Sequence, residues 1–221
     1  MTDSLRKIFE CYIIPLIKKS ITYRNKVYKP LDKIIISPTI FRKIICNKNC
    51  GACCLKYTMD FLPHERKPKI KLTKRIFENK EIHTFYSSDK NKIYCDLLDT
   101  KTGLCSIHSL KPFSCDFEFV RFKYFKSKNC VYIGNYTYGR AWNMRKINGE
   151  RGALCESTRI HSEENKKEIL RKFKRLKEYI DYFEVDTYIN EIIEQLEKLD
   201  IYKPFLYKKS FYIEKGVIHN D

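Results

Sequence analysis

The sequence predicts an α+β protein: a compact, loop-rich cysteine-cluster domain with short strands and a β-hairpin, followed by a C-terminal helical hairpin. Three observations carry that expectation. Four cysteines crowd into nine residues, Cys46-Asn47-Lys48-Asn49-Cys50-Gly51-Ala52-Cys53-Cys54, more than packing needs, and mark a loop that wraps an inorganic centre. Two β-prone runs, Phe117 to Phe125 and Cys130 to Tyr138, flank the turn Lys126-Ser127-Lys128-Asn129. Ser162, followed by Glu163 and Glu164, opens a repeat in which Ile169, Phe173, Leu176, Ile180 and Phe183 recur at helical spacing.

Taken in order, Ser4 is the candidate cap of a first helix whose apolar face is Leu5, Ile8, Phe9, Tyr12 and Ile13, and Pro15 ends or kinks it. Lys33 to Ser37 and Ile40 to Cys46 read as two strands separated by the Ser37-Pro38 turn. Pro63 and Pro68 break up the stretch after the cysteine loop. Ile70 to Lys80 reads as a short strand and a helical turn, and Ser87 to Asn91 as a surface loop. Cys95 to Asp99 is a strand end and Thr100 to Gly103 a turn. After Ser162 the apolar pattern breaks near Asp186, which divides the region into two helices. Residues 163–180 hold 7 basic and 4 acidic side chains, residues 181–200 hold 1 and 7, so helices folded back on each other would be electrostatically complementary. Part of the tail around Phe205, Leu206, Tyr207 and Phe211 is expected to dock on the core. The domain organisation is then 1–45 as lead-in, 46–160 as metal-binding domain and 161–221 as helical hairpin with tail, within one compact unit.

A hydrophobic fraction of 43% in 221 residues is that of a globular chain with a sizeable core. The N-terminal apolar patch is interrupted by Pro15 and lacks a small-residue cleavage site, and no apolar run approaches the ~20 residues that span a bilayer. The expectation is a cytoplasmic protein with no membrane partner, in which ten cysteines read as metal ligands before disulfides. The net charge of +17 is uneven: residues 1–161 hold 32 Lys and Arg against 14 Asp and Glu, residues 162–200 hold 8 against 11. That excess either faces an anionic partner, nucleic acid or an acidic protein, or offsets thiolate charge at the ligands.

Cys46, Cys50 and Cys53 share the spacing of a metal or cluster loop, and Gly51 permits the tight turn. Adjacent Cys53 and Cys54 diverge too far to ligate one tetrahedral ion together. Cys95, Cys105, Cys115 and Cys155 bring the candidate ligands to eight, where one Zn²⁺ or one [4Fe–4S] cluster takes four. Two centres, or one centre with further thiols, remain open; so does a pair of purely structural zinc sites. Cys11 and Cys130 read as small buried hydrophobes, and His108 as a surface or supporting histidine. The Cys46-x3-Cys50-x2-Cys53 spacing also occurs in radical S-adenosylmethionine enzymes. Ala52 replaces the aromatic residue usual there, however, and no run of βα units is present.

These motifs resemble the YkgJ-type cysteine-cluster family, a domain described as zinc- or iron-chelating. Its first motif resembles Cys46, Cys50, Gly51, Cys53 and Cys54; its second is similar to Cys95, Gly103, Cys105, Ile107, His108, Pro112 and Cys115; a late cysteine matches Cys155. Lys111 and Asp116 stand where the family commonly has arginine, which weakens any anion-binding role at that corner. The resemblance implies a metal or iron–sulfur centre, and one branch of it, the flagellin lysine N-methylases, implies S-adenosylmethionine-dependent methyl transfer to a protein substrate. The leading expectation is a [4Fe–4S] cluster on Cys46, Cys50, Cys53 and a distant cysteine. The alternative is a module stapled by two zinc ions that binds nucleic acid or a protein partner, with Arg121, Lys123, Lys126 and Lys128 among interleaved Phe and Tyr as its surface.

Overall fold

The computed structural model describes residues 4–45, 58–87, 95–99, 101–102, 104–117, 120–135, 146–147, 150–151, 156–157, 161–199, 201, 211–214 and 217–220. In chain order the elements are helix α1 (Ser4–Ile8), strands β1 (Ile21–Tyr23), β2 (Lys26–Tyr28), β3 (Lys33–Ile36), β4 (Ile44–Ile45), β5 (Thr58–Phe61), β6 (Thr73–Phe77), β7 (Lys80–Tyr86), β8 (Leu98–Asp99) and β9 (Leu104–Cys105), helix α2 (Phe113–Asp116), strands β10 (Val120–Phe125), β11 (Cys130–Asn135), β12 (Lys146–Ile147), β13 (Glu150–Arg151) and β14 (Glu156–Ser157), helices α3 (Glu163–Tyr182) and α4 (Ile189–Lys198), and strands β15 (Phe211–Glu214) and β16 (Val217–Asn220). Helices and strands mixed in several small sheets, closing on a helical pair, make the fold α+β. Among the described residues no helix is long and apolar enough to cross a membrane.

The chain divides into two units, each described by itself. The first comprises Met1–Arg6, Ile44–Glu118 and Thr137–Glu156. Its sheet has the antiparallel order β5-β7-β6. The expected helical turn at Ile70 to Lys80 is instead a tight hairpin, because Glu78 and Asn79 both take positive φ, 45° and 60°. Two such residues in succession reverse a strand with the twist a hairpin needs, and β7 continues through Tyr86. Its apolar cluster is Met59, Phe61, Phe85, Cys95 and Ile107, with Ile70, Leu72, Leu97, Cys105 and Cys115 packed against it.

Met59 and Asp60, neighbours on β5, have opposite roles. Asp60 is fully buried and accepts from Arg75 Nη2 at 2.9 Å, Thr84 Oγ1 at 2.5 Å and the Leu5 backbone N–H at 3.1 Å. Arg75 Nε in turn donates to Thr84 Oγ1 at 2.7 Å. Leu5 is the second residue of α1, so its N–H has no partner inside the helix. Asp60 therefore supplies the cap expected of Ser4, which is itself the first helical residue.

The second unit comprises Lys7–Lys43, Phe119–Tyr136 and Ser157–Asp221. Its five-stranded sheet has the order β10-β11-β3-β15-β16, antiparallel except between β11 and β3. The expected hairpin is present as β10 and β11, turned by Lys126–Lys128 and by Asn129 at φ 42°. Of the tail expected to dock, Phe211 lies in β15, which pairs with β3, while Phe205, Leu206 and Tyr207 lie outside the described residues. Ser162 caps α3, its side chain accepting from the Asn165 N–H at 3.2 Å. Ile169, Phe173, Leu176, Ile180 and Phe183 are buried, as the spacing predicts. Phe122 of β10 stacks on Phe173 with ring centroids 6.4 Å apart and meets Tyr12 edge-on at 5.4 Å. The two helices are tied at their charged faces by Lys174 and Glu197, 3.0 Å apart, and by Lys166 Nζ donating to the Leu199 carbonyl at 2.6 Å, beyond the C-terminus of α4.

Two further expectations are corrected in this unit. The run from Ile40 begins as a 3₁₀ turn, Pro38–Phe41, because Ser37 accepts from the Thr39 N–H and the proline starts a helical turn; of its described residues only Ile44–Ile45 is strand, and Cys46 lies outside them. Cys11 is exposed, not buried: α1 widens into a π-helix over Phe9–Ile13, and Phe9, Tyr12 and Ile13 take the inward positions. Cys130 is buried as expected.

Candidate metal centre

The second cysteine group converges in the apolar cluster of the first unit. Cys95 precedes β8, and Cys105 stands opposite Leu98 in the β8–β9 pair. Pro112, at φ −66°, starts the short helix α2, which carries Cys115, and the Pro112 carbonyl accepts from the Cys115 N–H at 2.9 Å. The Cys115 Sγ lies 3.6 Å from the Met59 thioether sulfur. Cys95 is buried, while Cys105 and Cys115 are half-buried. None of the three is joined in a disulfide.

Burial pushes the Cys95 thiol up to about 11. A hydrogen bond from the Leu97 backbone N–H opposes that shift, and the neighbouring Cys115 and Cys105, then Asp96, add to it. The mutual influence shows that the three sulfurs share one electrostatic environment, in which a lone thiolate is costly. A cation brought to this cluster would reverse that balance and hold the sulfurs as thiolates, with the Leu97 N–H already directed at one of them. Among the described residues no three His, Cys, Asp or Glu side chains stand together as a ready metal-holding group.

The remaining candidate ligands, Cys46, Cys50, Cys53, Cys54 and Cys155, lie outside the described residues, as does the loop expected at Ser88 to Asn91. Their described neighbours lead towards the same unit. Cys54 stands four positions before Thr58, a tether of at most about 14 Å of extended chain from the strand that presents Met59. Cys46 directly follows β4 and Cys155 directly precedes β14, and these two strands pair.

Sequence reasoning missed Met59, since a lone methionine in a strand reads as ordinary core, and missed the pairing of Lys111 with Asp116. Asp116 is fully buried and lies 3.2 Å from Lys111 Nζ. Lys111 and Asp116 thus neutralise each other at the start and end of α2, next to Cys115. His108 is exposed on a 3₁₀ turn.

Residues 45–134 match the sequence model of the CxxCxxCC family, described as a "Putative zinc- or iron-chelating domain". That is the cysteine-cluster resemblance read from the motifs. The match supports metal binding as the coarse function of this segment. No curated protein and no solved structure matches the chain.

Proposed function

We propose that this protein, with a chelating domain over residues 45–134 as the premise, holds an iron–sulfur centre, a [4Fe–4S] cluster, on thiolates drawn from two groups. Cys46, Cys50 and Cys53 with one distant cysteine, drawn from Cys95, Cys105, Cys115 and Cys155, are the favoured ligands; Cys54 and the remaining thiols are left for a second centre. The observation that carries the reading is the packing of Cys95, Cys105 and Cys115 into one apolar cluster with Met59, whose strand β5 follows the 46–54 segment in the sequence. The donors are thiols and a thioether, the soft set that suits iron–sulfur clusters, zinc or Cu(I), and their surroundings are apolar.

When bound, the cluster supplies a redox-active iron centre, whose potential the surrounding burial and N–H···S bonds tune. The chain contributes the rest. Leu97 donates its N–H to the Cys95 sulfur, and Met59, Phe61, Phe85 and Ile107 exclude water. The buried Asp60 network fixes β5, and with it Met59. As the resemblance implies, we add methyl transfer in the reducing cytoplasm: the S–CH₃ bond of S-adenosylmethionine would break as an N–CH₃ bond forms on a lysine of a protein substrate, releasing S-adenosylhomocysteine and a proton. Transfer of labelled methyl groups from S-adenosylmethionine to flagellin-type substrates by cluster-loaded protein tests that activity, and absence of transfer refutes it.

The centre itself is tested on anoxically purified chain. The expected result is brown protein absorbing near ~400 nm with about four iron and four sulfide per cluster. Colourless protein with about two zinc ions per chain would overturn the reading in favour of the zinc-stapled module.

A further inference from the structure

We propose that the β10–β11 hairpin of the second unit is a binding surface for single-stranded nucleic acid, with Tyr124 and Phe125 as stacking rings and Lys126 and Lys128 as phosphate contacts. Between residues 119 and 136 the chain carries four basic side chains, Arg121, Lys123, Lys126 and Lys128, and no acidic one. Tyr124 and Phe125 are 51% and 42% exposed, unusual for rings of this size on a sheet, and Lys126, Ser127 and Lys128 are exposed as well. Among the described residues β10 is an edge strand, so the rings sit at a margin of the sheet.

The rings are held in place. Phe125 meets Tyr132 of the neighbouring strand edge-on, with centroids 5.0 Å apart, and the Tyr124 hydroxyl donates to Asn129 Oδ1 at 3.4 Å. Lys123 is the cross-strand partner of Tyr132, placing a cation beside that aromatic pair. Consecutive on one strand, Tyr124 and Phe125 point to opposite faces of the sheet and so flank its edge beside the charged tip; exposed rings bordered by cations in this way fit a flexible polyanion with exposed bases that crosses the edge, because stacking tolerates any base and lysines track the backbone. A duplex hides its base faces and cannot use the rings. A bilayer fits less well: the hairpin tip, Lys126-Ser127-Lys128-Asn129, is charged and polar, and would have to enter ahead of the rings.

The test uses the full-length chain and fluorescence anisotropy with a labelled 20-nucleotide oligouridylate, the matching deoxy-oligomer, a 20-base-pair duplex, and 7:3 phosphatidylcholine–phosphatidylserine vesicles. Tight single-strand binding that weakens as salt rises is expected, with either sugar; preference for one sugar identifies the natural strand. Tyr124→Leu and Phe125→Leu should each weaken single-strand binding roughly 5- to 100-fold, while the ring-keeping Phe125→Tyr retains it. Lys126→Gln with Lys128→Gln should lower the salt slope by about 1.4. Circular dichroism checks that these surface variants stay folded. Absence of single-strand binding, equal binding to the duplex, binding to vesicles alone, or leucine variants that bind like the parent would each overturn the proposal.

Discussion

Replacing Asp60 with alanine removes the acceptor that joins three parts of the first unit: Arg75 on β6, Thr84 on β7 and the first turn of α1. The carboxylate is fully buried, whereas the Arg75 side chain is 23% exposed, so the surviving cation recovers only part of its hydration. A charged hydrogen bond contributes about 1.5–3 kcal/mol and each neutral-donor bond about 1. Together these give a loss of about 4 kcal/mol, within the ~3–5 kcal/mol expected for breaking a buried ion pair. With a urea slope of about 2 kcal/mol per molar, the midpoint should fall by about 2 M at unchanged slope. Asp60→Asn, which keeps shape and one acceptor oxygen, should lose roughly half as much. Leucine at 60 combined with methionine at 75 should recover part of the loss, since no charge is then left buried. The measurement is equilibrium urea unfolding of proteins matched in metal content. A shift below about 0.5 M for Asp60→Ala would refute the argument that this network fixes β5.

Three other outcomes concern the second unit. Ser162→Ala should cost about 1 kcal/mol in urea unfolding, because the Asn165 N–H loses its acceptor at the start of α3. Phe173→Ala should cost about 3–5 kcal/mol, since the ring is fully buried and stacks on Phe122; calorimetry would show the melting temperature fall accordingly. Burial, and then the charge of Arg42, lower the His161 pKa. A depressed folded value means the contribution is complete above the ordinary histidine value near ~6.5 and is lost as pH falls through the folded value. His161→Asn should therefore flatten the stability profile on the acid side of neutrality, read from unfolding midpoints across pH.

Local signals were legible in the sequence, and distant pairings were not. Ser162 with Glu163 and Glu164 located α3 because a cap is a contact between near neighbours. The β10–β11 hairpin was legible for the same reason, although its first strand starts only at Val120, since Phe113–Asp116 first makes a helical turn. The β6–β7 hairpin escaped because its turn places Glu78 and Asn79, rather than glycine, at positive φ. The parallel pairing of β11 with β3, and of β15 with β3 on its other side, joins segments about a hundred or more residues apart, and no periodicity encodes a partner. At the candidate centre, thiol spacing singled out Cys95, Cys105 and Cys115, while Met59 carried no signal of its own. Lys111 and Asp116 read as departures from a pattern until the ion pair between them gave the substitutions a shared role.

Shared ligation is tested most directly by differential alkylation with peptide mass spectrometry, on anoxically loaded and on chelator-stripped full-length protein. In the loaded state at least one of Cys95, Cys105 and Cys115 should be protected together with thiols of the 46–54 loop and become reactive with them on stripping, while exposed Cys11 reacts in both. Equal reactivity of Cys95, Cys105 and Cys115 before and after stripping, or release of the two groups at separate chelator concentrations, would contradict it.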